Sequence, residues 1–307
     1  MWRALLIVVF AVTLAQSAHA QEDPRDVERQ FRFLLARADE LREEKDRLEE
    51  QSSPAPAAMA RWNAHLKHLE RDYQHFLHDH PTHARAMVAY GGLLYDEVDE
   101  QQGERWWEKA IAVDPREPYA YNDIANIYGH EGQAAKALRY YQTAIDLEPH
   151  EPVFRFNWAT TCQLFRNESK AVYGWSVDEI FQHCLEQFRA ARDLDPTNYD
   201  YASNYAETFY QMPKPDWAAA YEAWQFCLRQ PLDDGQRAFV SGHLARVCIR
   251  LGRIDEARQW LSKLSGADQQ SVRRAIERRI AEASPTPAAS TATNPPPASA
   301  TNPSEKR

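Results

Sequence analysis

Six of the eleven histidines crowd into one stretch, HLKHLERDYQHFLHDHPTH, at positions 65, 68, 75, 78, 80 and 83. On a helix, His68, Asp72 and His75 fall at intervals of four and three and share a face. Two imidazoles and a carboxylate so placed suit a divalent cation such as zinc. That face lies opposite the stripe Trp62, Leu66, Leu69 and Tyr73, on the solvated side, where exposed histidines are the simpler reading. No HExxH or paired CxxC spacing accompanies it, so no metal or other cofactor is expected. The cysteines Cys162, Cys184, Cys227 and Cys248 stand at small or apolar positions of helical runs. The register across each helix pair sets Cys162 about a turn from Cys184, and Cys227 from Cys248, so four buried, unpaired thiols are expected. No nucleophile elbow, phosphate-binding loop, dinucleotide fingerprint or catalytic carboxylate pair is present, and no enzyme activity is expected.

Stepping out from these residues, the chain has a period. WWEKAIAVDP ends at Pro115 and YYQTAIDLEP at Pro149, a spacing of 149 − 115 = 34 residues, and QFRAARDLDP ends at Pro196. In the second copy Tyr121, Ile124, Ala125, Tyr128, Ala137, Tyr141, Ala144 and Pro149 follow in order. Met87, Tyr90, Gly91, Leu94, Gly103, Trp107, Ala110 and Pro115 do so in the first. The third, from Trp158, Ala159 and Cys162 to Cys184, Phe188 and Ala191, carries the insertion FRNESKAVYGWS between its halves. A fourth uses Ala202, Tyr205, Ala206, Phe209, Ala220, Trp224 and Cys227, and a fifth Leu244, Ala245, Cys248, Gly252, Ala257 and Leu261. This order of large, small and aromatic residues closed by proline resembles the tetratricopeptide-repeat (TPR) family. The resemblance implies an all-α fold, a TPR α-solenoid of about five helix pairs over residues 84–264 with a capping helix at 265–283.

The resemblance also implies a groove lined by the first helix of each pair. The residue before each large packing position should face it, namely Ala89, Asp123, Asn157, Asn204 and His243. Asn122, Asn126, Thr160, Gln163 and Glu207 lie a turn away, flanked by Tyr95, Tyr119, Phe156 and Tyr210. Asn and Gln both donate and accept, so they can match the N–H and C=O of an extended peptide. Asn157 and Asn204 resemble the asparagine ladder of O-GlcNAc transferase repeats, with Asp123 and His243 interrupting it. Basic residues of a carboxylate clamp are not found beside Asn122 and Asn126, so an extended segment is expected in place of a free C-terminal carboxylate. The expected function is a scaffold or adaptor binding another protein. Two alternatives stand beside it: the asparagines bridge neighbouring helices, or the groove aromatics bind glycan in polysaccharide or peptidoglycan assembly.

The ends of the chain add context. MWRALLIVVFAVTLAQSAHA has a basic start, a short apolar core and an A-x-A site, so residues 1–20 are expected to be a signal peptide cleaved before Gln21. Export to the periplasm or beyond follows, and no apolar run is long enough to span a bilayer as a stop-transfer helix. Residues 21–52 show seam spacing through Val27, Phe31, Leu34, Ala38, Leu41 and Leu48, with Lys45 in the same series. Residues 53–60 form a Pro/Ala linker and residues 61–83 a second leader helix. The seam fits either a coiled coil between copies, giving a homo-oligomer, or a hairpin folded on the first repeat. The Pro-, Ala-, Thr- and Ser-rich residues 284–307 are expected to be a disordered tail. A net charge of −9, with both signs interspersed, argues against a nucleic-acid partner.

Overall fold

The computed structural model describes residues 23–51, 53–264, 266 and 269–283. The signal peptide and tail expected at residues 1–20 and 284–307 lie outside the described residues. Among the described residues, α-helices and one 3-10 turn (Phe209–Gln211) form, and there is no strand. The chain divides into two compact units, Met1–His150 and Glu151–Arg307.

Unit 1 consists of three helix pairs: α1 (Pro24–Glu49) with α2 (Pro56–Asp79), α3 (Ala84–Glu97) with α4 (Glu100–Val113), and α5 (Pro118–His130) with α6 (Ala134–Leu147). Local chemistry sets the ends. Asp23 caps α1 by accepting the Arg25 N–H, and Asp99 caps α4 by accepting that of Gln102. Pro56 starts α2 within the expected linker, because a proline in the first turn forfeits no helical hydrogen bond. Gly132 takes φ +74 after α5, a left-handed residue that turns the chain into α6.

The leader is a hairpin. Phe31, Leu34, Leu41 and Leu48 are buried within the unit, and Trp62 Nε1 donates to the Leu41 carbonyl at 3.1 Å. Arg37 is ion-paired with Asp72 across the two helices. Lys45, the charged member of the apolar series, reaches Glu97 Oε2 on α3 at 2.8 Å, and that hydrogen bond raises its pKa. Helices α3 and α4 approach closely because two glycines face each other: a Cβ on Gly103 would lie 2.6 Å from the Gly91 carbonyl oxygen. Trp107 closes the same contact, donating to the Val88 carbonyl at 3.1 Å.

Unit 2 runs α7 (Pro152–Leu164), α8 (Arg166–Tyr173), α9 (Val177–Leu194), α10 (Tyr199–Thr208), α11 (Trp217–Cys227), α12 (Asp234–Arg250), α13 (Ile254–Leu261) and α14 (Gln270–Ala283). The pairs are α7 with α9, α10 with α11, and α12 with α13; α14 packs on the last pair through buried Ile276 and Ile280. The insertion is the short helix α8 and an aromatic clasp. Trp175 stacks on Tyr173 at 4.2 Å and on His183 at 3.9 Å, while Ser169 Oγ donates to the Cys162 carbonyl at 3.0 Å. Gly174 (φ +73) ends α8, and a Ser176–Glu179 capping box starts α9.

All four cysteines are buried and free. The expectation of four buried, unpaired thiols holds. Cys184 Sγ donates to the Ala159 carbonyl at 3.6 Å.

Candidate functional site

In unit 1 the first helices α1, α3 and α5 lie side by side and enclose two adjoining cavities. One, of about 200 Å³, lies between Leu35, Ala38 and Asp39 of α1 and Val88, Ala89, Gly92 and Asp96 of α3. The other, of about 210 Å³, is bordered by Phe31 and Leu35 of α1, Arg85 and Ala89 of α3, and Glu117 and Tyr119 of α5. Asp123 of α5 borders both. The small residues Ala89 and Gly92 leave the space open, and a Cβ on Gly92 would meet nothing within 4 Å.

The electrostatics of this face are uneven. Burial pushes the Asp123 carboxyl up to about 7, against the hydrogen bond it accepts from Asn122 Nδ2 at 3.0 Å. Asp96 and Glu117 add repulsion. Glu117 is itself raised by burial and accepts the Tyr119 N–H at 3.3 Å as the cap of α5. The cations on the same walls have other partners: Arg42 donates to Asp39 at 3.0 Å, and Arg85 lies 4.0 Å from Glu28.

The residues expected in a groove separate into several environments. Tyr119 borders the second cavity. Asn122 is buried and turned to Asp123. Asn126 Oδ1 accepts from the Tyr141 hydroxyl at 2.7 Å, bridging α5 to α6. Tyr95 packs at 5.1 Å on Trp107 and borders a separate recess with Glu100, Glu104 and His130. In unit 2, Asn157 and Glu207 are partly buried and Thr160 is exposed. Asn204 Nδ2 donates at 2.9 Å to the Asp200 carbonyl of its own helix. Gln163 Oε1 accepts from Thr208 Oγ1 at 3.3 Å, tying α7 to α10. Phe156 packs on Phe188 and Tyr201. Tyr210 packs against Trp217 and Trp224, its hydroxyl 3.1 Å from His243 Nδ1. His243 is buried against Trp224, stacked at 4.1 Å, and burial lowers its pKa to about 3.

The histidine stretch does not converge on a metal. Asp72 is held by Arg37, His68 Nδ1 lies 3.4 Å from it, and His75 turns to Asp79 at 3.3 Å. Burial would raise the Asp72 pKa, but the Arg37 and His68 hydrogen bonds outweigh it and hold the carboxyl below its usual range. Among the described residues no group of three or more His, Cys, Asp or Glu is arranged to hold a metal ion.

Sequence reasoning placed Asp123 on the groove side with Ala89, but took it as a break in an asparagine series and not as a binding residue. Its signal was there: it is the one acidic residue of α5.

A tetratricopeptide-repeat family profile matches residues 106–139, the junction of the first two repeats. The helix pairs and the glycine and alanine contacts fit that profile. The chain carries a tetratricopeptide repeat, and its helix pairs have the TPR fold. Its TPR pairs are similar to those of YrrB, described as a TPR protein with an unusual peptide-binding site, at 12% identity and a TM-score of 0.52 over 67% of this chain and 97% of that one. PilF of Pseudomonas aeruginosa gives 13% identity and a TM-score of 0.52 over 70% of this chain and 90% of that one. At such identities the likeness is one of fold. In sequence, 98 residues are 33% identical to the photosystem I assembly protein Ycf3 of Cuscuta obtusiflora and of Cuscuta gronovii. That match covers 31% of this chain and spans 58% of the length of those relatives. Among the described residues no helix is long and apolar enough to cross a membrane.

Proposed function

We propose that this TPR protein is a non-enzymatic adaptor, and that unit 1 holds an extended segment of a partner protein along the face of α1, α3 and α5. The supporting observation is the run of two adjoining cavities across that face, floored by Ala89 and open over Gly92. Successive side chains of an extended segment point to opposite sides, so alternate ones can enter such cavities while the backbone lies over the small residues. YrrB carries a peptide-binding site and the Cuscuta relatives are assembly proteins. Engaging another polypeptide is common to both roles, and we extend it to this chain. Export to the periplasm or beyond is part of the proposal on the sequence of residues 1–20 alone.

The test is a blocked groove. Gly92→Arg improves helix propensity, has room at its Cβ, and lays a long cationic side chain across the cavity. A partner captured from the native source by the unaltered chain should be lost with Gly92→Arg while the helical circular dichroism is kept. Capture undiminished by the substitution places binding elsewhere.

A further inference from the structure

We infer that the cavity shared by α1, α3 and α5 receives a cationic side chain, lysine or arginine, of the bound segment, with Asp123 as its counter-ion; this rests on the groove proposed above. Asp123 is half-buried and is reached through the two cavities it borders. One of its oxygens accepts from Asn122, and the other has no hydrogen bond among the described residues. A carboxylate removed from water in this way is strongly stabilised by a cation beside it.

The chain itself does not supply one. On α1, Arg42 is engaged by Asp39 and Lys45 by Glu97; on α3, Arg85 lies beside Glu28, and Asp96 is acidic; at the start of α5, Glu117 is acidic. Leu35, Val88, Ala89 and Leu93 line the cavity beside Asp123, among Asp39, Asp96 and Glu97, and suit the methylene stem of a long basic side chain. A second, independent feature points the same way. Tyr73 borders the same cavity, is fully buried, and its hydroxyl has no hydrogen-bond partner among the described residues. A carboxylate oxygen and a phenol oxygen without donors, at one cavity of about 200 Å³, match an ammonium or guanidinium group.

A displayed library of random dodecapeptides is selected at pH 8 on the full chain, and in parallel on its Asp123→Asn and Gly92→Arg variants, each checked for native circular dichroism. Peptides enriched on the unaltered chain should share a lysine or arginine at one position and be lost on both variants. By fluorescence anisotropy, an enriched peptide should bind at least about 30-fold tighter than its copy with norleucine at that position. Lowering the pH from 8 to 6 should close most of that gap, as Asp123, pushed up to about 7 by burial, takes up a proton. Peptides lost on Gly92→Arg but indifferent to Asp123→Asn, or equal in affinity with norleucine, overturn the cation assignment and leave the groove standing. Peptides indifferent to both substitutions, or no enrichment at all, overturn the groove and the assignment with it.

Discussion

A carboxyl group enclosed as Asp123 is loses its water without gaining a cation, so its ionised form works against folding. Its folded pKa of about 7 lies above the unfolded value near 4. The stability it confers is whole below about pH 4 and is lost as the pH rises towards 7. Asp123→Asn should therefore raise stability at pH 8 by about 1–2 kcal/mol, and the gain should vanish near pH 4, by urea denaturation. His243 has the opposite sign. Its folded pKa of about 3 lies below the unfolded value near 6.5, so its contribution is complete above about 6.5 and is lost as the pH falls towards 3. Between pH 7 and pH 4 it should account for about 3 kcal/mol of lost stability. His243→Phe, which can occupy the space among Tyr210, Trp224 and Phe239, should remove that part of the pH dependence whatever its effect at pH 7.

At the scale of the helices, legibility varied with how much of the signal was local. The pairs α3/α4 and α5/α6 could be read from Gly91, Gly103, Trp107, Ala125 and Ala137, because packing at a helix crossing admits few residue types. Gly103→Ala should cost about 1–3 kcal/mol, since its Cβ would meet the Gly91 carbonyl and the Tyr95 backbone, neither of which can swing away. The side-chain partners of the asparagines were not legible. Whether Asn126 faces a peptide or the Tyr141 hydroxyl depends on which rotamer the neighbouring helix rewards, and spacing carries no record of that. The seam on α1 could not discriminate between a partner copy and α2, because both bury the same side chains. With Phe31 buried inside unit 1, Phe31→Ala should lower stability by about 3–4 kcal/mol and leave the mass by light scattering unchanged. A fall in mass with an unchanged melting temperature would return the seam to an intermolecular role.

At the scale of the molecule, each unit has its own apolar core: one gathers Phe31, Tyr73, Met87 and Trp107, the other Phe209, Trp224, Leu244 and Ile276. Residues 21–150 expressed alone should accordingly melt as a cooperative helical unit; a gradual, non-cooperative loss of helix would contradict a separate core. The leader hairpin belongs to the first core and carries a longer consequence. Its helix α1 forms one wall of the proposed groove, yet unlike α3 and α5 it answers to no 34-residue pattern of obligatory small and aromatic positions. Ala38, Asp39 and Arg42 on that wall are thus free to diverge while the repeats stay fixed. Variation in what relatives of this protein bind should concentrate in a segment that repeat-finding overlooks, and redesign of its selectivity has a natural starting place there.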